Sequence, residues 1–408
     1  MTAVDRSDVV IAGGGITGLA LACALADALG ADAGIALVER RQVCARRDGR
    51  ALALSAASVR LIEALGAWEA IASEAQPVTA IDITDSRLED ALRPVLVSYD
   101  NTIDGAPATY IVEHDKVLET LRAALRRRPH VTMLCGQGVD GFLADEHGVT
   151  TRLAGGTLLR SSLLVAADGR QSPLRDAAGI KIVRWSYAQL GIVATVRHAK
   201  PHGGRAVQHF LPSGPFAILP LTASRSCVTW TEEHGKARAI LALDAPDFLA
   251  EIEKRFDYRL GAVTLAGGRG AWPLDMHLAR ALVGPRLALI GDAAHAVHPI
   301  AGQGLNLGLR DVAALAEVVA DAARLGLDFG TSTVLERYER WRRLDAALSA
   351  ATFDALNRLF SNDSTLLRTA RGLGLGLVER MPALKQYFVA EAAGVTGAVP
   401  KLLRGERP

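Results

Sequence analysis

A carboxylate beside a glycine-rich turn marks residues 291–306 as a candidate ligand site. The Asp292 carboxylate can accept hydrogen bonds from sugar-type hydroxyls, and Gly302 and Gly304 let the backbone approach a flat ligand closely. An apolar run at 287–290 predicts a buried strand before this segment, and apolar periodicity predicts a helix after it. The first amides of that helix would point their N–H groups at the ligand. The sequence therefore predicts a polar site at a strand-to-helix turn.

A second glycine-rich turn lies near the start of the chain. Residues 13–18 have the pattern G-x-G-x-x-G between a predicted strand at 8–12 and a helix to about residue 29. A further strand, 35–38, ends at Glu39, which lies 21 positions after the last glycine. In this context the pattern is specific for dinucleotides, because its glycines permit a tight turn, pyrophosphate approach and close helix packing. Glu39 would then bind the ribose hydroxyls of an adenosine.

A third carboxylate, Asp168, precedes Gly169 and follows residues 158–166, which we predict to be one strand and which end in an apolar run. This position again suggests a site at a strand end, although Asp-Gly is also a common turn and leaves a structural interpretation open. The histidines of the middle region are scattered, and we interpret them as surface or structural residues, so no metal site is predicted. They are His202, His209 and His234.

The elements that position these residues fall into two kinds. The glycine-rich turns and Asp168 lie in alternating strand and helix patterns, which are typical of a parallel sheet. Period-two patterning predicts an antiparallel hairpin within 77–98, and strands dominate 182–269, with a helix at 247–256. Helical patterns return after residue 306 and continue into the tail. The expected fold class is therefore α/β (α+β), a Rossmann-like domain with an inserted antiparallel-sheet domain and a C-terminal helical segment.

Composition limits which binding partners and which cellular compartment we expect for the protein. The 408 residues are 50% hydrophobic and 22% charged with a formal net charge of +2, so we expect no nucleic-acid partner. Four cysteines without a C-x-x-C pair fit a reducing compartment. We see neither a signal peptide nor an apolar run long enough to span a membrane, and we expect a cytoplasmic protein, peripheral at most on the inner-membrane face.

Taken in order, these motifs resemble those of the FAD-dependent aromatic hydroxylases that share the p-hydroxybenzoate hydroxylase fold. The resemblance extends from about residue 8 to residue 345. Arg50-Ala-Leu-Ala-Leu-Ser, the run from His298 to Asp311, and the Tyr338…Arg343-x-Asp345 pattern are similar to the ubiquinone-biosynthesis branch. The resemblance implies FAD as cofactor and NAD(P)H or an external electron donor as reductant, since a second G-x-G-x-x-G is lacking.

The resemblance also implies roles for single residues. Glu39 would hold the adenosine ribose, Arg50 would lie near the flavin or its ribityl chain, and Asp292 would bind ribityl or pyrophosphate-side groups. Asp168 would line the groove where FAD meets NAD(P)H, and the backbone near Val139 would contact adenine. The pyrophosphate would lie on Gly13, Gly15, Ile16, Thr17 and Gly18, and the pyrimidine edge of the flavin on Gly302, Gly304, Leu305 and Asn306.

In this family the reduced flavin forms a hydroperoxide whose distal oxygen is attacked by a phenol ring, so no catalytic triad is needed. The resemblance puts His298 and Pro299 beside the flavin on the substrate side. His298, with an unperturbed pKa near ~6.5, could assist phenol deprotonation or only line the site. Low aromatic content and the lack of an obvious carboxylate-binding site favour a large apolar substrate, a polyprenylated phenol, which would react with dioxygen at a ring carbon.

The expected domains are an FAD-binding domain at 1–76, 101–181 and 271–345, a substrate sheet at 77–100 and 182–270, and a helical segment at 346–408. Residues 366–408 carry seven Lys or Arg against three Glu, so this tail could dock on a membrane surface, on other ubiquinone-biosynthesis proteins or on its own core. Alternative functions are a hydroxylase of a small aromatic, a reductase, or a non-catalytic FAD-bound subunit. A halogenase is disfavoured because its Trp-x-Trp-x-Ile-Pro pattern is absent.

Overall fold

The computed structural model describes residues 4–42, 49–90, 93–256 and 259–408. Cys44 therefore lies outside the described residues. The helices of the described part are α1 Ile16–Leu29, α2 Ala56–Ala64, α3 His114–Arg126, α4 Pro173–Ala177, α5 His234–Ala242, α6 Ala245–Phe256, α7 Gly304–Arg324, α8 Ser332–Phe360, α9 Thr365–Glu379 and α10 Pro382–Ala393.

The strands are β1 Val4–Arg6, β2 Val9–Ala12, β3 Ile35–Glu39, β4 Ala51–Ser55, β5 Gln76–Pro77, β6 Ala80–Asp85, β7 Val97–Asp100, β8 Thr102–Ile103, β9 Ala106–Pro107, β10 Thr109–Glu113, β11 Val131–Cys135, β12 Val139–Asp145, β13 Gly148–Leu153, β14 Leu158–Ser161, β15 Leu163–Ala166, β16 Ile182–His198, β17 Arg205–Leu211, β18 Gly214–Leu221, β19 Arg225–Glu233, β20 Val263–Ala279, β21 Val283–Gly284, β22 Leu287–Leu289 and β23 His295–Ala296.

A six-stranded sheet of order β11-β3-β2-β15-β22-β21 carries all three predicted ligand turns. Its first five strands are parallel, and β2, β15 and β22 are buried along their whole length. Such continuous apolar strands are what a parallel sheet requires, because both of its faces are covered. The carboxyl ends of these neighbouring strands lead into the turns at Gly13, Ala167 and Ile290, so the three turns lie at one edge of the sheet.

The prediction of one strand at 158–166 is wrong. The chain forms β14 and β15 instead, and these belong to different sheets, since β14 pairs with β1 and β13 while β15 pairs with β2 and β22. The break lies at Ser162, whose amide donates to the Asp8 carbonyl, and the Ser161 hydroxyl donates to the Leu163 carbonyl. β14 is buried only at alternate residues and contains Arg160 and Ser161, whereas β15 is buried throughout, and the sequence interpretation did not use this difference. The strand β4 and the helix α5 were also absent from the sequence interpretation.

The antiparallel part is an eight-stranded sheet of order β23-β20-β16-β19-β18-β17-β6-β7. The predicted hairpin within 77–98 is confirmed, since β6 pairs antiparallel with β7. The hairpin joins the strands of 182–279 through a parallel pairing of β6 with β17. The proposed domain limits stay a prediction, and three of them fall inside continuous elements, since β5 spans residues 76 and 77, β20 passes residue 270 and α8 passes residue 345.

The C-terminal segment packs against the rest of the chain. The guanidinium of Arg371 on α9 donates to the Asp85 carboxylate at the end of β6 at 2.8 and 3.2 Å, and both side chains are buried. The Trp341 indole donates to the Ala398 carbonyl, and the Lys401 amide donates to the Glu317 carboxylate. No helix among the described residues is long and apolar enough to cross a membrane.

A buried ionic network joins α7 and α8 to the turn after β22. The Asp311 carboxylate, which is 0% exposed, accepts hydrogen bonds from the Gly291 amide at 2.9 Å, His295 Nε2 at 2.7 Å and Arg342 Nε at 2.7 Å. Arg342 also contacts Asp345, which in turn pairs with Arg310. Burial by itself raises the pKa of the Asp311 carboxyl, but the neighbouring His295 and Arg342 outweigh burial and hold it below its usual value.

Replacing Arg342 by methionine should therefore destabilise the protein strongly. Removal of one partner leaves a buried carboxylate with incomplete compensation, which costs about 3–5 kcal/mol. Urea unfolding of the FAD-loaded protein should measure this loss in the free energy of unfolding. The matched control is Arg340→Met on the same helix, where the side chain is 70% exposed and the change should stay within about 0.5 kcal/mol.

The pH dependence of the free energy of unfolding gives a second test with the same variant. The pKa of Asp311 is lower in the folded state than in the unfolded state, where it is about 3.9. The stabilisation that ionised Asp311 gives the fold is therefore complete above pH of about 3.9 and is lost as the pH falls through the folded-state pKa. In Arg342→Met, protonation of Asp311 removes the uncompensated charge. The stability difference should thus shrink between pH 7 and pH 4, and equal stabilities at pH 7 would contradict the role given to the network.

Candidate active site

The first glycine-rich turn is held by close backbone contacts at two of its three glycines. A Cβ on Gly13 (φ +117°) would lie 2.1 Å from the Ala167 carbonyl oxygen, and a Cβ on Gly18 would lie 1.9 Å from that of Gly13. At Gly15, by contrast, an added Cβ would meet no atom within 4 Å. The turn is therefore built by Gly13 and Gly18 and is open at Gly15, where a ligand phosphate could approach.

The helix α1 directs unpaired donors at this opening. The first hydrogen bond within α1 runs from the Leu19 amide to the Gly15 carbonyl at 2.9 Å. The amides of Ile16, Thr17 and Gly18 therefore lack an acceptor within the helix. No side chain caps this helix start. Free amides and the positive end of the helix dipole favour an anionic ligand group.

Glu39 lies against the same turn. Its Oε2 accepts a hydrogen bond from the Gly14 amide at 2.7 Å, and its Oε1 accepts one from the Arg41 amide at 2.8 Å. Each carboxylate oxygen keeps a free lone pair, so the half-buried group can still accept from ribose hydroxyls. Val139 starts β12 close by, because the Gln137 amide donates to the Glu39 carbonyl at 3.1 Å. This places Val139 on the Glu39 side of the turn.

Asp168 follows β15 directly and borders the turn at Gly13 through Ala167. Its Oδ2 accepts a hydrogen bond from the Leu174 amide at 3.3 Å, while its Oδ1 is buried and has no partner among the described residues. Burial is the largest influence on this carboxyl and raises its pKa above the usual value. A buried carboxylate oxygen without a donor is costly, so it indicates a position that a ligand donor completes.

The second glycine-rich segment begins with a tight turn at Gly291–Ala293. The Asp292 side chain is exposed, and no hydrogen bond or ion pair joins its carboxylate to the described residues. Further on, α7 begins with a hydrogen bond from the Leu307 amide to the Gln303 carbonyl at 3.0 Å, and Gln303 provides no side-chain cap. The three preceding amides have no intrahelical acceptor; they belong to Gly304, Leu305 and Asn306.

The side chain of Asn306 has a structural task that the sequence did not reveal. Its Oδ1 accepts from the Ser55 amide and the Ser58 hydroxyl, and its Nδ2 donates to the Ala53 carbonyl at 2.9 Å. Only its backbone amide remains for a ligand. Gly302 (φ +63°) also lies against β4, the strand that contains Ala53, since a Cβ on Gly302 would approach the Ala53 Cβ to 3.0 Å. The start of α7 is thereby fixed to β4.

Strand β4 brings Arg50 to the site. Arg50 directly precedes this strand, and its guanidinium lies 5.3 Å from the ring centroid of Trp272 on β20. This is cation–π distance, and the Trp272 ring is partly exposed. Arg50 therefore lies against the eight-stranded sheet, at the start of the strand β4 whose residues Ala53 and Ser55 contact Asn306 of α7.

The two glycine-rich segments meet at Thr17. A Cβ added to Gly308 on α7 would lie 2.8 Å from Thr17 Cγ2 and 3.2 Å from Gly291 Cα. A Cβ on Gly291 would lie 3.2 Å from the same threonine. Segments that are far apart in the sequence thus form one continuous site, with Glu39 at one end and Asp292 and the start of α7 at the other.

His298 lies beyond the α7 end of this site. The side chain is only 1% exposed, and neither ring nitrogen has a hydrogen-bond partner among the described residues. Burial lowers the pKa of His298 to about 4, well below the unperturbed value that the sequence suggested. Complete proton transfer from a phenol, which titrates near ~10, to this imidazole is therefore strongly uphill. The half-buried Pro299 follows and begins the turn Pro299–Ala301.

Two parts of this arrangement had no assigned role in the sequence interpretation. Asp311 and Arg342, which fix the Gly291 turn, stood within quoted motifs, but spacing alone did not reveal their pairing. Tyr187 on β16, whose ring contacts His298 edge to face with centroids 5.1 Å apart, was missed. A single tyrosine in an alternating strand carries no signal of this contact, because the contact depends on how β16, β20 and β23 pair within the eight-stranded sheet.

Comparison with known proteins agrees with this geometry. A family model described as "FAD binding domain" matches residues 6–351. The chain is 42% identical to ubiquinone hydroxylase UbiL of Rhodospirillum rubrum, covering 98% of this chain and 93% of that protein. It is 34% identical to 3-demethoxyubiquinol 3-hydroxylase of Escherichia coli, covering 95% and 99%, and 33% identical to the mouse mitochondrial ubiquinone biosynthesis monooxygenase COQ6, covering 95% and 90%.

Solved structures agree on the fold. The p-nitrophenol 4-monooxygenase PnpA from Pseudomonas putida superposes with a TM-score of 0.79 at 19% identity, covering 97% of this chain and 100% of that one. HpxO of Klebsiella pneumoniae, complexed with FAD and uric acid, gives a TM-score of 0.75 at 19% identity over 95% and 96%. The open glycine turn, the unpaired carboxylate oxygens and the free amides fit the same cofactor. The chain belongs to the FAD-binding family of monooxygenases, with the fold expected from its motifs and FAD as its cofactor.

Proposed function

We propose that this protein is an FAD-dependent monooxygenase that hydroxylates a ring carbon of a polyprenylated phenol in ubiquinone biosynthesis. One observation carries the proposal. Two glycine-rich segments that meet at Thr17 offer free amides and carboxylates, and the second segment contains the buried His298, whose imidazole has no hydrogen-bond partner among the described residues. The names of the relatives, which include ubiquinone hydroxylase and 3-demethoxyubiquinol 3-hydroxylase, supply the substrate class.

We infer the following division of tasks along the site. The open position at Gly15 and the amides of α1 hold the pyrophosphate, and Glu39 accepts from the adenosine ribose. Asp292 accepts from the ribityl hydroxyls. The amides at the start of α7, with the positive end of its dipole, stabilise negative charge at the pyrimidine edge of the flavin. Asp168 borders the groove that a nicotinamide reductant would use.

When bound, FAD supplies the activation of dioxygen after reduction by NAD(P)H or an external donor. One oxygen atom enters the ring C–H bond and becomes a hydroxyl, and the other leaves as water, so two electrons and two protons are consumed. The chain must exclude water and orient the ring. We propose that His298 and Pro299 line the substrate side, where the neutral imidazole accepts a hydrogen bond from the phenolic hydroxyl without removing its proton.

An apolar cluster beside His298 suits a prenyl chain. Ile300, two residues after His298, packs with Phe210 of β17 and Phe360 of α8, and the two phenylalanine rings stack with centroids 4.0 Å apart. Partly buried side chains extend this cluster; they are Ile83, Phe353, Leu356 and Leu375. A hydrocarbon chain would gain free energy, at about 25 cal/mol per Å², only where it covers the exposed part of these partly buried side chains.

The decisive test is the product formed under labelled dioxygen. FAD-loaded protein, chemically reduced and mixed with ¹⁸O₂ and a geranylated phenol, should give a ring-hydroxylated product that carries one labelled atom by mass spectrometry. p-Hydroxybenzoate serves as the matched small substrate and should give at least tenfold less product. Preference for the small acid would favour the alternative hydroxylase, and reoxidation without any oxygenated product would favour a reductase or a non-catalytic subunit.

The inferred pyrophosphate site makes a separate prediction. Gly15→Val should leave the urea midpoint of the FAD-free protein unchanged, because Gly15 has ordinary extended backbone angles and open space at its Cβ. FAD affinity, followed by flavin fluorescence, should fall at least tenfold, since the valine would fill the space of the phosphate. Gly18→Ala is the contrasting variant and should lower stability as well, because its Cβ meets backbone. Unchanged FAD affinity in Gly15→Val would refute the placement.

We propose as well that the junction of α9 and α10 docks on a membrane surface, the source of a lipid substrate. Four large apolar side chains at this junction, each 43–60% exposed, form what we term the tail patch: Leu377, Met381, Tyr387 and Phe388. Most basic residues of the tail are already paired, for example Arg371 with Asp85 and Lys385 with Glu379. Attraction to the membrane would therefore come mainly from the apolar and aromatic side chains.

Vesicle sedimentation tests this surface. The wild type should bind phosphatidylcholine vesicles, with at most a modest gain when phosphatidylglycerol is added, and Tyr387→Ser/Phe388→Ser should lower binding at least fivefold. Leu325→Ser/Leu327→Ser is the matched control, because those leucines are equally exposed but lie after α7. Absence of vesicle binding by the wild type would reject the membrane and leave another protein as the partner of the tail patch.

A further inference from the structure

Tyr187 is fixed in place by side chains from two other parts of the chain. Its hydroxyl donates to Asp354 Oδ1 on α8 at 2.9 Å. The Trp185 indole donates to the same carboxylate oxygen at 2.9 Å and to the Tyr187 hydroxyl at 3.0 Å. Met276 of β20 lies 3.5 Å from this hydroxyl through its sulfur. The hydroxyl end of Tyr187 is thus held, and its ring projects towards His298.

The backbone of β16 is distorted at this position. The pairing of β16 with β20 shifts register between Ser186 and Gln189, and Ala188 has a φ of +55°. A bulge of this kind turns a side chain away from the direction that a regular strand would give it. Left-handed backbone at a residue other than glycine is strained and persists only where surrounding contacts hold it. Gln189 helps to hold this conformation, since its side-chain amide donates to the Ser213 carbonyl at 2.8 Å.

No hydrogen bond from the described residues fixes the orientation of the His298 imidazole. Within the same part of the chain, its one aromatic contact is the perpendicular Tyr187 ring, with centroids 5.1 Å apart and planes at 88°. Met276, Val297 and Leu307 surround this pair with apolar side chains. A ring that lacks polar partners would otherwise depend on these adaptable contacts alone.

We propose that Tyr187 is a positioning residue, which Asp354 and Trp185 hold so that its ring keeps the His298 imidazole turned towards the hydroxyl of the substrate. This rests on the function proposed above, in which His298 lines the substrate side. Tyr187 acts through its ring and not as a base. Burial and the hydrogen bond to Asp354 raise the pKa of its hydroxyl, which therefore stays protonated and keeps donating to the carboxylate.

The first test observes His298 directly and needs no catalysis. FAD-loaded protein labelled with ¹³Cε1-histidine should show a His298 resonance, assigned by its loss in His298→Leu. This resonance should shift or broaden in Tyr187→Leu and in Asp354→Ala. Asp354→Asn keeps an acceptor oxygen and should restore the wild-type position. Tyr110→Leu is the control, because Tyr110 makes a similar edge-to-face contact with Trp68 elsewhere, at 5.2 Å. An unchanged His298 resonance in both Tyr187→Leu and Asp354→Ala overturns the proposal.

The second test measures whether Tyr187 acts through His298. His298→Leu and Tyr187→Leu should each lower kcat/KM for a geranylated phenol about tenfold, and the double variant should lie within twofold of either single variant. Additive losses of about a hundredfold would show independent roles and refute the proposal. Should the wild type form no hydroxylated product, the proposed function fails, while the resonance experiment still decides whether Tyr187 orients His298.

Discussion

The site depends on one buried carboxylate. Asp311 has no exposed surface and accepts hydrogen bonds from a backbone amide, a histidine and an arginine that belong to three different segments. A charge in an apolar interior is tolerated only when such partners surround it, so the three segments are held in one relative position. The turn at Gly291 is consequently fixed by α7 and α8, while the neighbouring Asp292 side chain stays exposed.

The other carboxylates divide by how completely the protein satisfies them. Asp311 is saturated by donors and is structural. Asp292 carries no partner among the described residues, Asp168 leaves one oxygen unpaired, and Glu39 uses one lone pair of each oxygen on backbone amides. A buried acceptor with spare capacity, such as the Asp168 oxygen, is unfavourable unless a donor completes it, whereas the exposed Asp292 carboxylate is solvated by water. The same residue type is therefore a saturated anchor at Asp311 and keeps capacity for the proposed ligand at the other three positions.

The parts predicted from the sequence were those that backbone geometry dictates. Glycine spacing identified the two turns, because a Cβ at Gly13 or Gly18 would collide with backbone, and apolar runs identified the buried strands. The break at Ser162, the side-chain role of Asn306 and the low pKa of His298 escaped prediction. Each depends on tertiary contacts or on burial, which residues distant in sequence create. The contact of Tyr187 with His298 belongs to the same class, since it requires the bulge at Ala188.

Polarity is separated along the site, and this separation bears on the substrate. The cofactor end offers amides and carboxylates, whereas the His298 end is apolar and holds a neutral imidazole. Among the described residues, the charge that acts noticeably on His298 is the Asp354 carboxylate, which is negative. Asp354 is already paired with Arg358 at 2.9 Å, so the carboxylate of a small aromatic acid would have to compete with Asp354 for that guanidinium. A phenol with a hydrocarbon chain would bring one neutral hydroxyl and apolar surface, which are complementary to the neutral imidazole and the apolar side chains of this end.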